Sequence, residues 1–208
     1  MKNNLQKQCN RLYARGRIVK LFKKEEKHLF TLFIRNGAGH RHVYLNFEYD
    51  TMIHDVEIYQ HIILSAHLEN YDTDYCTFEQ HYVADQIKED TTELASYFND
   101  IENHSGFAYK KSFCKLYISG MIVQTRIHPE KDWAELKIQD VEGNIIKMQY
   151  SKRMRVADKK FEAGDYIYAF ATPISVDKNI NDEERRFENV ILEDIIIVVD
   201  REIDLFTD

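Results

Sequence analysis

The chain has 208 residues, 44% of them hydrophobic and 30% charged, with a net charge of −7, a composition that suits a globular protein of one or two domains. Its longest apolar run, Val190–Val199, is broken by Glu193 and Asp194 and is too short to span a bilayer. Cys9, Cys76 and Cys114 are scattered with no C-x-x-C spacing, which argues against a disulfide framework or zinc ribbon and points to a reducing, cytoplasmic setting.

The charge is unevenly spread. Residues 1–24 hold eight Lys/Arg and no Asp/Glu, whereas the acidity gathers in 89–112 and 200–208. The basic start lacks the apolar core of a secretory signal. Tyr13-Ala-Arg-Gly-Arg-Ile-Val19 is echoed 104 positions later by Tyr117-Ile-Ser-Gly-Met-Ile-Val123. A glycine inside such a β-branched run marks a bulge, a bend or a close backbone approach. The chain therefore reads as two copies of one small curled β-unit.

In chain order, 12–23 is a first strand curled at Gly16, with a turn at Lys23–Lys27. His28–Arg35 alternates Phe30, Leu32 and Ile34 against Leu29, Thr31, Phe33 and Arg35. After Asn36–Gly39, Arg41–Tyr49 alternates Val43, Leu45 and Phe47 against His42, Tyr44, Asn46 and Glu48. Residues 50–57 form a polar link with room for one helical turn. Ile58–Leu68 and Glu79–Ile87 are strands four and five, joined by a Tyr/Asp/Thr loop at 70–78. Asp90, with Glu93 three residues on, opens a connector helix whose apolar face is Leu94, Phe98 and Ile101.

The second unit repeats the order: Lys115–Ile127 curled at Gly120, Trp133–Gln139, Ile145–Tyr150, a basic link at 152–160, Tyr166–Ile174, a polar loop at 177–186 and Phe187–Val199. The expected architecture is mainly β, two five-stranded Greek-key barrels of OB type joined by a short connector helix. Its boundaries are 1–88, 89–112, 113–199 and an acidic tail at 200–208.

On an OB barrel, strands two and three form the usual nucleic-acid face. The outward residues there interleave rings with cations, which suits bases stacked on aromatics and phosphates held by Lys and Arg. The candidates are Arg15, Arg17, Lys20, Lys23, Lys24, Phe33, Arg35 and Tyr44 in the first unit, and Trp133, Lys137, Lys147, Arg153 and Arg155 in the second. Aromatics on strands also serve as cross-strand packing, and surface lysines as solvated charge. His40 and His42 stand as H-x-H, but no Cys or carboxylate completes a metal site, so neither a metal nor a cofactor is expected. No nucleophile elbow, Walker loop, zincin or dinucleotide motif is present, and the chain is read as a non-enzyme.

Gly120-Met-Ile-Val followed by His128-Pro-Glu130 resembles the Gly-x-hydrophobic…Asp-Pro-Glu passage of OB-type single-stranded-DNA-binding proteins, with His128 in place of the acid. Asp200-Arg-Glu-Ile-Asp-Leu-Phe-Thr-Asp208 is similar to their acidic, hydrophobic-tipped tails, though it ends Thr-Asp and has no Gly/Pro/Gln linker. The resemblance implies a tandem two-barrel form that binds single-stranded DNA in replication, recombination or repair, from a mobile element or phage. It also implies partner recruitment through Leu205 and Phe206, with a homodimer completing four barrels. RNA is a second candidate ligand. The competing reading is a protein-interaction or assembly module on the same barrels, favoured by the acidic net charge.

Overall fold

The computed structural model describes residues 9–36, 41–73, 77–91, 113–180 and 183–198; at 35–36, 41, 71–73, 77–80, 176–180 and 183–187 it describes the backbone alone. The described residues form ten strands. The first five are β1 (Asn10–Lys24), β2 (Lys27–Asn36), β3 (Arg41–Tyr49), β4 (His61–Thr73) and β5 (Thr77–Glu89). The second five are β6 (Phe113–Ile127), β7 (Trp133–Gln139), β8 (Ile145–Ser151), β9 (Tyr166–Ile180) and β10 (Glu183–Val198). No α-helix occurs among the described residues. The predicted connector at 89–112 starts on Glu89, the last residue of β5, and from 92 onward lies outside them, as does the acidic tail with Leu205 and Phe206.

All ten strands belong to one mixed sheet rather than to two separate ones. Within the first half the pairings run β1–β2–β3–β5–β4 and return to β1, so the ring closes. The second half closes in the same order, β6–β7–β8–β10–β9 and back to β6. In both rings the third and fifth strands pair in parallel over one or two residues only, Phe47↔Tyr82 with Glu48↔Val83 and Ile191↔Gln149.

The repeated motif makes each closure. Arg17 pairs with Phe33 on one side and His61 on the other, and Met121 pairs with Gln139 and Tyr166. The first strand thus passes from one partner to the next at the motif. A Cβ on Gly16 would stand 2.3 Å from the Phe33 carbonyl oxygen, and one on Gly120 only 2.2 Å from that of Gln139. Both contacts lie far inside van der Waals range, so the glycines are required by close backbone approach. The bulges themselves come three residues later, at Val19 and Val123, where the register shifts.

Alternation then fills each interior. Phe30, Leu32, Ile34, Val43, Leu45 and Phe47 are buried in the first half, and Ala134, Leu136, Ile138, Ile146 and Met148 in the second. The 50–57 link does contain a single helical turn, closed by His54 N–H donating to Asp50 at 2.9 Å, and it buries Val56. Its counterpart is one turn of 3-10 helix at Arg155–Asp158, which buries Val156.

β1 and β6 join the halves as an antiparallel ladder from Asn10↔Ile118 to Arg15↔Phe113. Its centre is Leu12↔Leu116, and these two residues are equivalent positions of the repeat. Equivalent residues meeting in an antiparallel pair define a local two-fold axis, across which the Tyr13 and Tyr117 rings touch edge-on at 6.1 Å. Cys9 and Ser119 extend the join by exchanging hydrogen bonds, Cys9 N–H to Ser119 Oγ at 2.8 Å and Ser119 N–H to the Cys9 carbonyl at 2.6 Å.

Two expected loops are not loops. The polar segments 70–78 and 177–186 largely continue as β-ladder: Asn70 to Thr73 pairs with Gln80 to Thr77, and Asp177 to Ile180 with Arg186 to Glu183. Their sequences are polar and lack a run of alternating apolar residues. The alternation that reveals a half-buried strand is then absent.

Candidate nucleic-acid interface

Cross-strand register brings the predicted outward residues of the first half into rows. Arg17 stands opposite Phe33, and Phe33 opposite Tyr44. The next row is Lys20, Thr31 and Asn46, with Thr31 Oγ1 donating to Asn46 Oδ1 at 2.8 Å. The bulge at Val19 is what returns Lys20 to the same face as Arg17. Phe33 is partly exposed and packs its ring against His42 and Tyr44, both at 5.2 Å between centroids. This tilted three-ring group lies on the outer surface, backed by the buried Leu32, Ile34, Val43 and Leu45.

A fourth ring joins it that the sequence reading did not select. Tyr59 is 67% exposed, and the Arg17 guanidinium sits over its ring at 5.7 Å. Its backbone has φ +71°, a left-handed conformation unusual for a bulky residue. That conformation is held by Tyr59 N–H donating to Ile18 at 2.7 Å, while Ile18 N–H donates to Gln60 at 2.9 Å. The sequence reading starts strand four at Ile58, but the strand begins at His61 and Tyr59 stands in the turn before it. Only the docking of the link onto the β1 bulge places it beside Arg17.

The cations divide by circumstance. Arg15 turns inward to an ion pair with Asp90, at 2.6 and 2.7 Å, and the Asp90 side chain is 1% exposed. Lys20 rests over the Phe22 ring at 5.0 Å with its residue exposed. Lys23 is 3.4 Å from Glu26, and Lys24 is exposed at the end of β1. For Arg35 the register alone is described, opposite His42.

The second half does not repeat the ring row. The counterpart of Arg17–Phe33–Tyr44 is Met121–Gln139–Ile145, and that of Lys20–Thr31–Asn46 is Gln124–Lys137–Lys147. Trp133 stands at the far end of β7 opposite Ser151, its ring tilted against His128 at 4.1 Å with the Lys131 ammonium 4.8 Å from its ring. The basic link is largely spent on local partners. Lys147 pairs with Glu135 at 2.5 Å, Arg153 with Asp132 at 2.7 Å and Lys159 with Asp194 at 2.5 Å, and Lys152 donates to the His128 carbonyl. Arg155 is exposed. Burial works to raise the Glu135 carboxyl, but Lys147, Gln149 and His128 together hold it below the usual carboxylate range.

Two further features lie off this face. Tyr13, Phe113, Tyr117, Tyr168 and Phe170 line a largely apolar groove of about 640 Å³ on the outside of the β1–β6 join. Among the described residues no group of three or more His, Cys, Asp or Glu could hold a metal ion, and His40 lies outside them. No described helix is long and apolar enough to cross a membrane.

No protein-family model matches the sequence, and no curated protein matches it. Among solved structures the fold is shared with the single-stranded DNA binding protein from Thermus aquaticus. The wild-type structure superposes with a TM-score of 0.60 at 13% identity over 92% of this chain and 94% of that one. A deletion variant of the same protein gives 0.58 at 12% identity over 92% and 95%. At this sequence distance the likeness is one of fold alone.

Proposed function

We propose that the chain is a non-enzymatic binder of single-stranded DNA, built of two OB barrels at 1–88 and 113–199, that acts in replication, recombination or repair. The observation that carries this is the row Arg17–Phe33–Tyr44, flanked by His42 and Tyr59, on the outer face of β1–β3. Likeness of fold to a protein named for binding single-stranded DNA supports the same ligand. Bases stack on Phe33, Tyr44 and Tyr59, while Arg17, Lys20 and Lys24 hold phosphates. Little on this face reads base edges, so binding is sequence-tolerant and weakened by salt. In the second barrel Trp133 with Lys131 supplies a separate stacking point, and Lys137 and Arg155 supply charge. Leu205 and Phe206 recruit replication or repair partners.

Titration with an oligo(dT) of about 30 nucleotides tests this. Phe33→Ala and Tyr44→Ala should each weaken binding by about 1–3 kcal/mol, the range for one stacked base, with the fold intact by circular dichroism. No binding at low salt, or binding indifferent to salt, would sink the reading. Competition with oligo(U) measures the preference for DNA over RNA.

The aromatic groove favours an assembly role beside the binding role. Tyr13, Phe113 and Tyr117 are 42%, 38% and 37% exposed and cluster about the local two-fold. A contiguous apolar patch of this kind on a soluble domain marks an association surface. A second copy presenting the same patch gives a closed, self-complementary dimer. Light scattering should give twice the chain mass for the wild type and the monomer mass for Tyr117→Glu. A monomeric wild type at tens of micromolar would remove this second reading.

A further inference from the structure

The two polar arms reach across the join, each to the third strand of the opposite half. From the β9–β10 arm, Ser175 Oγ accepts the Tyr44 N–H at 2.9 Å and a Glu188 carboxylate oxygen accepts the Asn46 N–H at 3.0 Å. Ser175 and Glu188 are themselves paired across the arm. From the β4–β5 arm, Asn70 Nδ2 donates to the Ile145 carbonyl on β8 at 2.6 Å, and Asn70 N–H donates to Asn144 Oδ1 at 3.4 Å. The exchange follows the two-fold seen at Leu12↔Leu116, but its two sides are unequal. The β9–β10 arm grips the strand that carries Tyr44. The β4–β5 arm grips β8, whose matching position is Ile145.

β3 needs that grip. Its pairing with β5 covers only Phe47 and Glu48, so the edge of β3 from Arg41 to Asn46 is not held by its own ring. The N–H groups of Tyr44 and Asn46 fall on that edge. A charge-assisted bond from a carboxylate to a backbone N–H is among the stronger ways to hold one. The geometry points to Ser175 and Glu188 as positioning residues for the first-half stacking face: the second half sets the height and tilt of β3, and through it the ring of Tyr44 against Phe33. The two halves then act on a strand as one composite site and not as independent beads. This inference rests on the stacking role proposed above for that face.

Paired variants and oligo(dT) titration test it. Ser175→Ala with Glu188→Ala should weaken binding about tenfold, the scale of one to two lost hydrogen bonds. Ser175→Thr with Glu188→Gln keeps an acceptor at both places and should restore most of the affinity. Amide hydrogen exchange at Tyr44 and Asn46 should speed up in the alanine pair and return towards wild type in the conservative pair. Asn70→Ala is the control, since it removes the reciprocal arm contact without touching β3, and it should leave affinity within about twofold while still lowering Tm. If the wild type binds and the alanine pair loses no more affinity than Asn70→Ala, the arms merely join the halves and the inference fails alone. Unchanged exchange at Tyr44 and Asn46 in the alanine pair overturns it too. A wild type that does not bind oligo(dT) overturns the binding proposal and this inference with it.

Discussion

Arg15 and Arg17 sit two residues apart on one face of β1, yet the structure gives them different work. Arg15 is spent on Asp90, and the buried carboxylate depends on it. Removing one partner of such a buried pair weakens the support of the carboxylate left behind, at a cost of up to about 3–5 kcal/mol. Arg15→Ala should therefore shift the urea midpoint strongly, and any loss of DNA affinity should track the unfolded fraction. Arg17 instead leans on the exposed Tyr59, and Arg17→Ala should leave the urea midpoint nearly unchanged while weakening DNA binding. Sequence placed both arginines on one side of β1 but could not separate them. Asp90 lies 75 residues away and reads there as a helix cap.

The β4–β5 ladder carries a chain of titratable groups that spacing alone did not connect. His67 lies 2.7 Å from Asp85 and 3.0 Å from Glu69; Glu69 is 3.5 Å from His81; Glu48 is 3.6 Å from His81 and 2.8 Å from Lys27. Asp85 reaches His67 because it is the bulged residue, where the register passes from Gln86 to Ala84. Burial works to lower the His67 pKa, but Glu69 and Asp85 together outweigh it and the value is raised. Burial and then Lys27 lower that of His81. The two have opposite signs in linkage. A raised folded value means the native state holds the His67 proton more tightly, so its contribution is complete below the ordinary histidine value and fades as pH rises through the raised one. For His81 the contribution is present above the ordinary value and is lost as pH falls through the lowered one. The Tm difference between wild type and His67→Gln should then be largest below the ordinary histidine value and shrink as pH rises through the raised one. A difference constant with pH would show that His67 contributes packing and not charge.

At the scale of the molecule, the net charge of −7 hides an uneven allocation. Much of the described basic link of the second half is paired with its neighbours, and the proposed phosphate contacts of the first half are Arg17, Lys20 and Lys24. Each phosphate neutralised on a single strand contributes about −0.7 to the slope of log K against log salt. Three such contacts predict a slope of about −2 for oligo(dT), measured by titration across a salt series. Lys20→Ala should make that slope shallower by about 0.7 with little change in its dependence on base identity. A slope near −5 would mean that the 147–160 lysines and arginines leave their carboxylate partners to bind DNA.

By itself the sequence determined the strand order and the inward and outward faces. Both follow from local chemistry: alternation at period two, turn residues, and a glycine that nothing larger can replace. It also carried the echo of Tyr13–Val19 in Tyr117–Val123, the two stretches at which the rings close. Tertiary structure alone decided that the halves share one sheet through Leu12↔Leu116, that the polar arms are strands, and that they cross to β3 and β8. It also decided which groups gather, bringing Tyr59 under Arg17, the residue opposite Phe33, and leaving Trp133 apart. The join and the crossings depend on pairings between residues far apart in the chain, up to the 142 positions between Asn46 and Glu188, which no local pattern announces.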